Sequence, residues 1–306
     1  ALGLKPGQLT GEILLNLDTE EDDEIDIGCA GGIDVTASAN YTLTSTSSNF
    51  VKIEIKGLQG GHSGMDIHKG FGNSNVILGR LLYAGISNEI QLISIDGGGL
   101  RNAIPREAHA LVAVNNASEY LQKLETLKSD ILEEFASVEK DLEINFATVE
   151  NTENGLSVED SKKIILALKS AHNGVYRMSP DVADLVEASN NIARVELKNG
   201  GLKILNLTRS SVESTKMAVA EQLKSVFELA GMQVDFSGSY PGWKPKPGAE
   251  IIKIMTEIYE KDFGAKPHVV ACHAGLECGI IGANYPKMEM VSFGPTIRGA
   301  HSPDER

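Results

Sequence analysis

Phe50-Val-Lys-Ile-Glu-Ile-Lys56 sets apolar and charged side chains on alternating positions. A period of two puts one set on each side of an extended chain, so the stretch reads as a strand of a half-buried antiparallel sheet. Residues 41–47 alternate in a similar way and are predicted as a neighbouring strand. Working outward, 57–64 is a Gly-rich turn carrying His62, and 73–87 spaces Val76, Ile77, Leu81, Leu82 and Ile86 as a helix does. Strands are predicted at 90–96 and 108–115, around a loop at 102–105. An amphipathic helix is predicted over 118–138, with Ser118 as its N-cap, and a strand over 142–149. The order β-β-α-β-β-α-β predicts one sheet with helices on one face. A second unit repeats part of that texture: a helix at 157–171, strands at 189–197 and 202–210, a helix at 214–230 and a strand at 232–237.

The ends of the chain read differently. A strand at 12–17 runs into clustered carboxylates, and a second at 25–29 runs into a Gly-Gly pair. Tyr240-Pro-Gly-Trp-Lys-Pro-Lys-Pro247 reads as a linker, since four of its eight residues are Pro or Gly. Beyond it come a helix at 249–263, a strand at 268–271, a helix at 276–281 and a strand at 287–293. That β-α-β order predicts part of a parallel sheet. The expected fold is therefore α/β pieces at 1–35 and 239–306, with a parallel-type sheet and helices, flanking an inserted α+β domain at 36–238.

The chain has 306 residues, of which 42% are hydrophobic and 23% charged, enough for two domains with cores. A net charge of -14 repels nucleic acid and anionic membranes, so neither is expected as a partner. No run approaches the roughly 20 apolar residues that span a bilayer. Cys29, Cys272 and Cys278 are too few for a disulfide framework and fit a reducing cytoplasm, the expected location.

Two polar segments leave predicted strand ends. One holds Asp18; the other, Gly294-Pro-Thr-Ile-Arg298-Gly-Ala-His301, holds a histidine. Carboxylate and imidazole at strand ends are a common way to present ligands to a divalent metal, although Asp18 taken alone reads more readily as an N-cap or turn residue. Five segments in order carry a resemblance: Asn16-Leu-Asp-Thr-Glu-Glu21, Gly60-Gly-His-Ser-Gly64, Arg101-Asn-Ala-Ile-Pro-Arg106, His273-Ala-Gly-Leu-Glu-Cys-Gly279 and Gly294 to Glu305. Together they resemble the aminoacyl-histidine dipeptidases, the peptidase D branch of the M20 family of two-zinc peptidases, over nearly the whole chain.

That resemblance implies a zinc-binding catalytic domain interrupted by a lid that also dimerises, and hydrolysis of Xaa-His and related dipeptides by metal-activated water. It implies Asp18 and His301 as zinc ligands, and His62 as a group that polarises the scissile carbonyl, reaching the partner subunit's site. Asn102 and Arg209 would hold substrate, Arg209 through the terminal carboxylate, and Gly275 would make a backbone contact near it. Arg298 would bind substrate or order the His301 loop. His273 and Glu277, four apart, are expected to be hydrogen-bonding partners beside the site. Glu20 and Glu21 read as a solvated acidic turn.

The family pattern also contains an H-x-D motif and a Glu-Glu pair ahead of the first aspartate. No histidine here is followed by x-Asp. The chain is therefore expected to be an N-terminally trimmed fragment, inactive and weak in zinc binding by itself. Two other readings stand beside it: a non-catalytic lid or dimerisation module, and another M20 hydrolase such as an aminoacylase or carboxypeptidase.

Overall fold

A computed structural model describes residues 3–47 and 49–297. In chain order, strands β1 (Ile13–Asn16), β2 (Glu24–Cys29), β3 (Gly31–Asn40) and β4 (Asn49–Lys56) precede helix α1 (Ser74–Ala84). Next come β5 (Gln91–Gly98), β6 (Ala108–Val114), α2 (Ala117–Phe135), β7 (Glu143–Val149) and α3 (Val158–Ser170). They are followed by β8 (Gly174–Met178), β9 (Val186–Lys198), β10 (Gly201–Ser210), α4 (Glu213–Leu229) and β11 (Gln233–Tyr240). The last elements are α5 (Glu250–Phe263), β12 (His268–Cys272), α6 (Glu277–Asn284) and β13 (Glu289–Ser292).

The alternation at 50–56 produces the strand it predicts. Val51, Ile53 and Ile55 are fully buried while Lys52 is exposed. Their strand belongs to a nine-stranded sheet in the order β11-β3-β10-β9-β5-β6-β4-β7, with β8 paired to β9. Helices α1 to α4 supply Leu81, Leu124, Ile164 and Leu223 to the core on its buried face. Each such side chain contributes about 1.5–3 kcal/mol of burial, so this core dominates the stability. Charged side chains hold the opposite face, among them the His109–Glu54 and Arg194–Glu196 pairs.

A separate four-stranded sheet has the order β1-β13-β2-β12. Ile25, Ile27 and Val291 pack on Ile251 and Ile252 of α5, while Cys29, Met288 and Met290 pack with Cys278 of α6. The chain is thus a mixed α/β fold, as its alternating patterns predict. It passes between the sheets twice: once with only Ala30 between β2 and β3, and once after Tyr240. Among the described residues no helix is long and apolar enough to cross a membrane.

Several details differ from the sequence reading. Residues 41–47 form no strand, because their polar groups bind a distant loop and the end of β6 instead. Thr46 Oγ1 donates to the Glu153 carbonyl and Ser47 Oγ to the Val114 carbonyl. In the chain, the strand that follows β2 is β3, which begins at Gly31 in the other sheet. Helix α2 is capped by Asn116, whose side chain accepts from the Glu119 amide, two residues earlier than the expected cap Ser118. The two predicted α+β units share one continuous sheet. The strands predicted as a parallel β-α-β unit, β12 and β13, are separated by β2, which is parallel to β12 and antiparallel to β13. The Pro-rich linker is anchored: Cys29 and Trp243 exchange both backbone hydrogen bonds, at 3.0 and 2.9 Å, and Trp243 is buried.

Candidate active site

His62 lies in the turn between β4 and α1, where Gly60 and Gly61 take φ of 73° and 143°, angles open mainly to glycine. The His62 amide donates to Asp66 Oδ2 at 2.7 Å. Its ring Nδ1 accepts from the amides of Met65 (3.0 Å) and Gly64 (3.3 Å). A nitrogen that accepts two amide protons carries none itself, so the neutral ring holds its proton on Nε2. Burial and then the nearby Arg209 charge push the His62 pKa below that of a free imidazole. The result is a neutral imidazole with one N–H left to offer.

The turn is braced from below and from the side. Glu139, buried, accepts from the amides of Gln59 and Gly72, both at 2.7 Å, closing the base of the loop. Ser63 N donates to the Asn102 carbonyl at 2.8 Å, and Ile104 N to the Gly61 carbonyl at 2.8 Å. The 101–103 loop is fixed in turn by Asn191, whose side chain donates to the carbonyls of Arg101 and Ala103. Asn102 itself is exposed.

Arg209 lies near the end of β10 and is 5% exposed. The His62 turn helps cover it through Ser63. Its Nε donates to Ser63 Oγ at 3.4 Å and its Nη1 to Tyr240 Oη at 3.0 Å. Both partners are neutral hydroxyls. Among the described residues, no carboxylate lies within ion-pair distance of this guanidinium. A buried cation without a counter-charge costs several kcal/mol unless a ligand supplies one, an order of magnitude set by desolvation.

The turn between β12 and α6 brings the second sheet against this cluster. His273 is buried, with Nε2 2.8 Å from Ser189 Oγ on β9. Its Nδ1 is buried without a hydrogen bond. Burial, and then the positive field of Arg209, push its pKa down to about 3, so the ring is neutral. Its partner is Ser189, and Glu277, the partner expected from the four-residue spacing, is exposed in the first turn of α6. Gly64 allows the approach, since a Cβ there would lie 2.1 Å from the His273 carbonyl oxygen. Gly275 faces the Tyr240 ring: a Cβ would sit 3.3 Å from Cε2.

The structure thus gathers His62, Asn102, Arg209 and Gly275 through Ser63 and Tyr240. Sequence reading missed both connectors, placing Tyr240 in a linker and Ser63 only inside a motif. Asp18 is exposed, past the end of β1 in the smaller sheet. The chain leading toward His301 runs beside it: Phe293 N donates to the Asn16 carbonyl at 3.0 Å and Ile297 N to the Glu20 carbonyl at 2.9 Å. His301 and Arg298 lie outside the described residues. Among the described residues, no three His, Cys, Asp or Glu side chains are placed to hold a metal ion. Cys272 and Cys278 have thiols pushed up to about 12 by burial, which makes them poor ligands at neutral pH.

Residues 53–143 match the peptidase dimerisation domain. The whole chain is 41% identical over 312 residues to the cytosol non-specific dipeptidase of Escherichia coli (strain K12), covering 64% of that protein. Its fold superposes on the aminoacylhistidine dipeptidase of Vibrio alginolyticus with a TM-score of 0.94 at 41% identity, over 99% of this chain and 63% of the other. The chain spans just under two thirds of the length of each relative. In sequence and in fold the chain is thus similar to these two dipeptidases, and residues 53–143 carry the dimerisation domain of M20 peptidases.

Proposed function

We propose that the gene product containing these residues is a metal-dependent dipeptidase acting on dipeptides with a free terminal carboxylate, Xaa-His among them. The observation that carries this reading is Arg209, a buried guanidinium whose described partners are two neutral hydroxyls. A carboxylate is its natural counter-charge, and a planar guanidinium binds one through two parallel hydrogen bonds. His62 would donate its Nε2–H to the scissile carbonyl oxygen, where negative charge develops. Asn102 and Gly275 would hold the substrate backbone beside them. The names of the relatives support both the dipeptide substrate and a cytoplasmic location.

Residues 36–238 would form the lid and dimerisation domain, between catalytic-domain pieces at 1–35 and 239–306. The match at 53–143 supports a homodimer through that lid. Asp18 and His301 are proposed as zinc ligands. The described donors do not amount to a zinc site, since one carboxylate is far short of the three or four ligands zinc takes. The roles assigned above are therefore those of protein groups. The same shortage of donors favours a second reading, a dimerisation module without catalysis.

The deciding experiment measures zinc content and Xaa-His hydrolysis for that gene product, its Arg209→Ala variant and its Asp18→Asn variant. Hydrolysis with KM raised by about a hundredfold in R209A, and zinc lost in D18N, supports the dipeptidase. Absence of hydrolysis in the parent leaves the dimerisation module.

A further inference from the structure

We propose that Tyr240 is a second substrate-binding residue, donating its phenolic proton to the same terminal carboxylate that Arg209 binds. This rests on the reading of Arg209 given above. Tyr240 closes β11, where the chain leaves the large sheet. Its Oη accepts a proton from Arg209 Nη1 at 3.0 Å. Because the oxygen accepts from the guanidinium, its own proton points to another group, and among the described residues none accepts it. The hydroxyl is thus a donor beside a cation that itself has no counter-charge. An anion placed against Arg209 would meet both.

The ring is placed by backbone rather than by chance packing. A Cβ on Gly32 would lie 2.7 Å from Tyr240 Cε1, Cζ and Oη, and one on Gly275 would lie 3.3 Å from Cε2. Two glycines, one on β3 and one in the β12–α6 turn, therefore leave the slot in which the phenol stands. The same contacts couple the guanidinium to the turn carrying Gly275, so the phenol also orients Arg209. Lys216 Nζ, donating to the Tyr240 carbonyl at 2.8 Å, fixes the backbone at that point.

The test compares kcat and KM of the parent, Tyr240→Phe and Arg209→Ala on an Xaa-His dipeptide and on its C-terminal amide. Tyr240→Phe removes one oxygen and keeps the ring between its glycines, so its melting temperature should match the parent's. For the free acid, Y240F should raise KM about tenfold with kcat little changed, the loss of one hydrogen bond to a charged group. For the amide it should change neither. If R209A raises KM for the acid while Y240F does not, the phenol donates nothing and this inference falls alone. Equal losses on acid and amide would also overturn it, since a general packing effect does not distinguish the two. If R209A itself leaves the acid unaffected, the reading of Arg209 fails and takes this one with it.

Discussion

Replacing His273 with glutamine should make the protein's stability less sensitive to acid. In the fold His273 has a pKa of about 3, against 6.5 for a free imidazole. Between those values the unfolded chain takes up a proton that the folded chain cannot hold, so stability falls as pH falls. The slope is about 1.4 kcal/mol per pH unit below 6.5, which gives a loss of about 2 kcal/mol between pH 7 and pH 5. The folded ring stays neutral throughout that window, so the figure depends little on how far below 5 its pKa lies. His273→Gln keeps an amide near Ser189 Oγ and has nothing to titrate. Urea unfolding of parent and variant at pH 7 and pH 5 isolates the residue, because His62 and the carboxylates are common to both. The stability gap between parent and variant should shift against the parent by about 2 kcal/mol at the lower pH. A gap independent of pH would mean that the imidazole is solvated or paired in the fold, and would refute the packing of the β12–α6 turn on β9.

Three further outcomes follow from the same geometry. If the proposed dipeptidase activity holds, His62→Ala should lower its kcat by about a hundred- to a thousandfold with a smaller change in KM, as expected for a donor used mainly in the transition state; steady-state kinetics checks it. Gly64→Ala should destabilise by about 1–3 kcal/mol, because the methyl group meets the His273 carbonyl and one of the two turns must move; a thermal melt reads the loss. Glu139→Ala should cost about 1–3 kcal/mol by orphaning the Gln59 and Gly72 amides, and hydrogen exchange at those two positions should accelerate.

Much of the fold could be read from local pattern. The period-two alternation at 50–56 and the helical spacing at 73–87 and 157–171 each depend on a few adjacent residues, and each gave its element within one to three residues of the observed ends. Pattern failed where long-range partners decided. Residues 41–47 alternate, yet the Thr46 hydroxyl binds a loop more than a hundred residues away and the Ser47 hydroxyl binds the end of β6, over sixty away. Strands β12 and β13 look like neighbours in the chain, but β2 inserts between them, because sheet order is set by which faces must be buried together.

The sequence by itself determined which chemical groups are present: a histidine on a glycine-rich turn, an arginine on a strand, an aspartate past a strand end, and five ordered segments that carry the family resemblance. Only the tertiary structure decided their states. Burial removed water from Arg209 and His273, leaving one a cation facing hydroxyls and the other a neutral ring. It also brought Tyr240, 31 residues along the chain, onto the Arg209 guanidinium. Solvation and proximity are properties of the folded surface rather than of any local stretch, and a guanidinium with no anion beside it becomes visible only once every neighbour is in place.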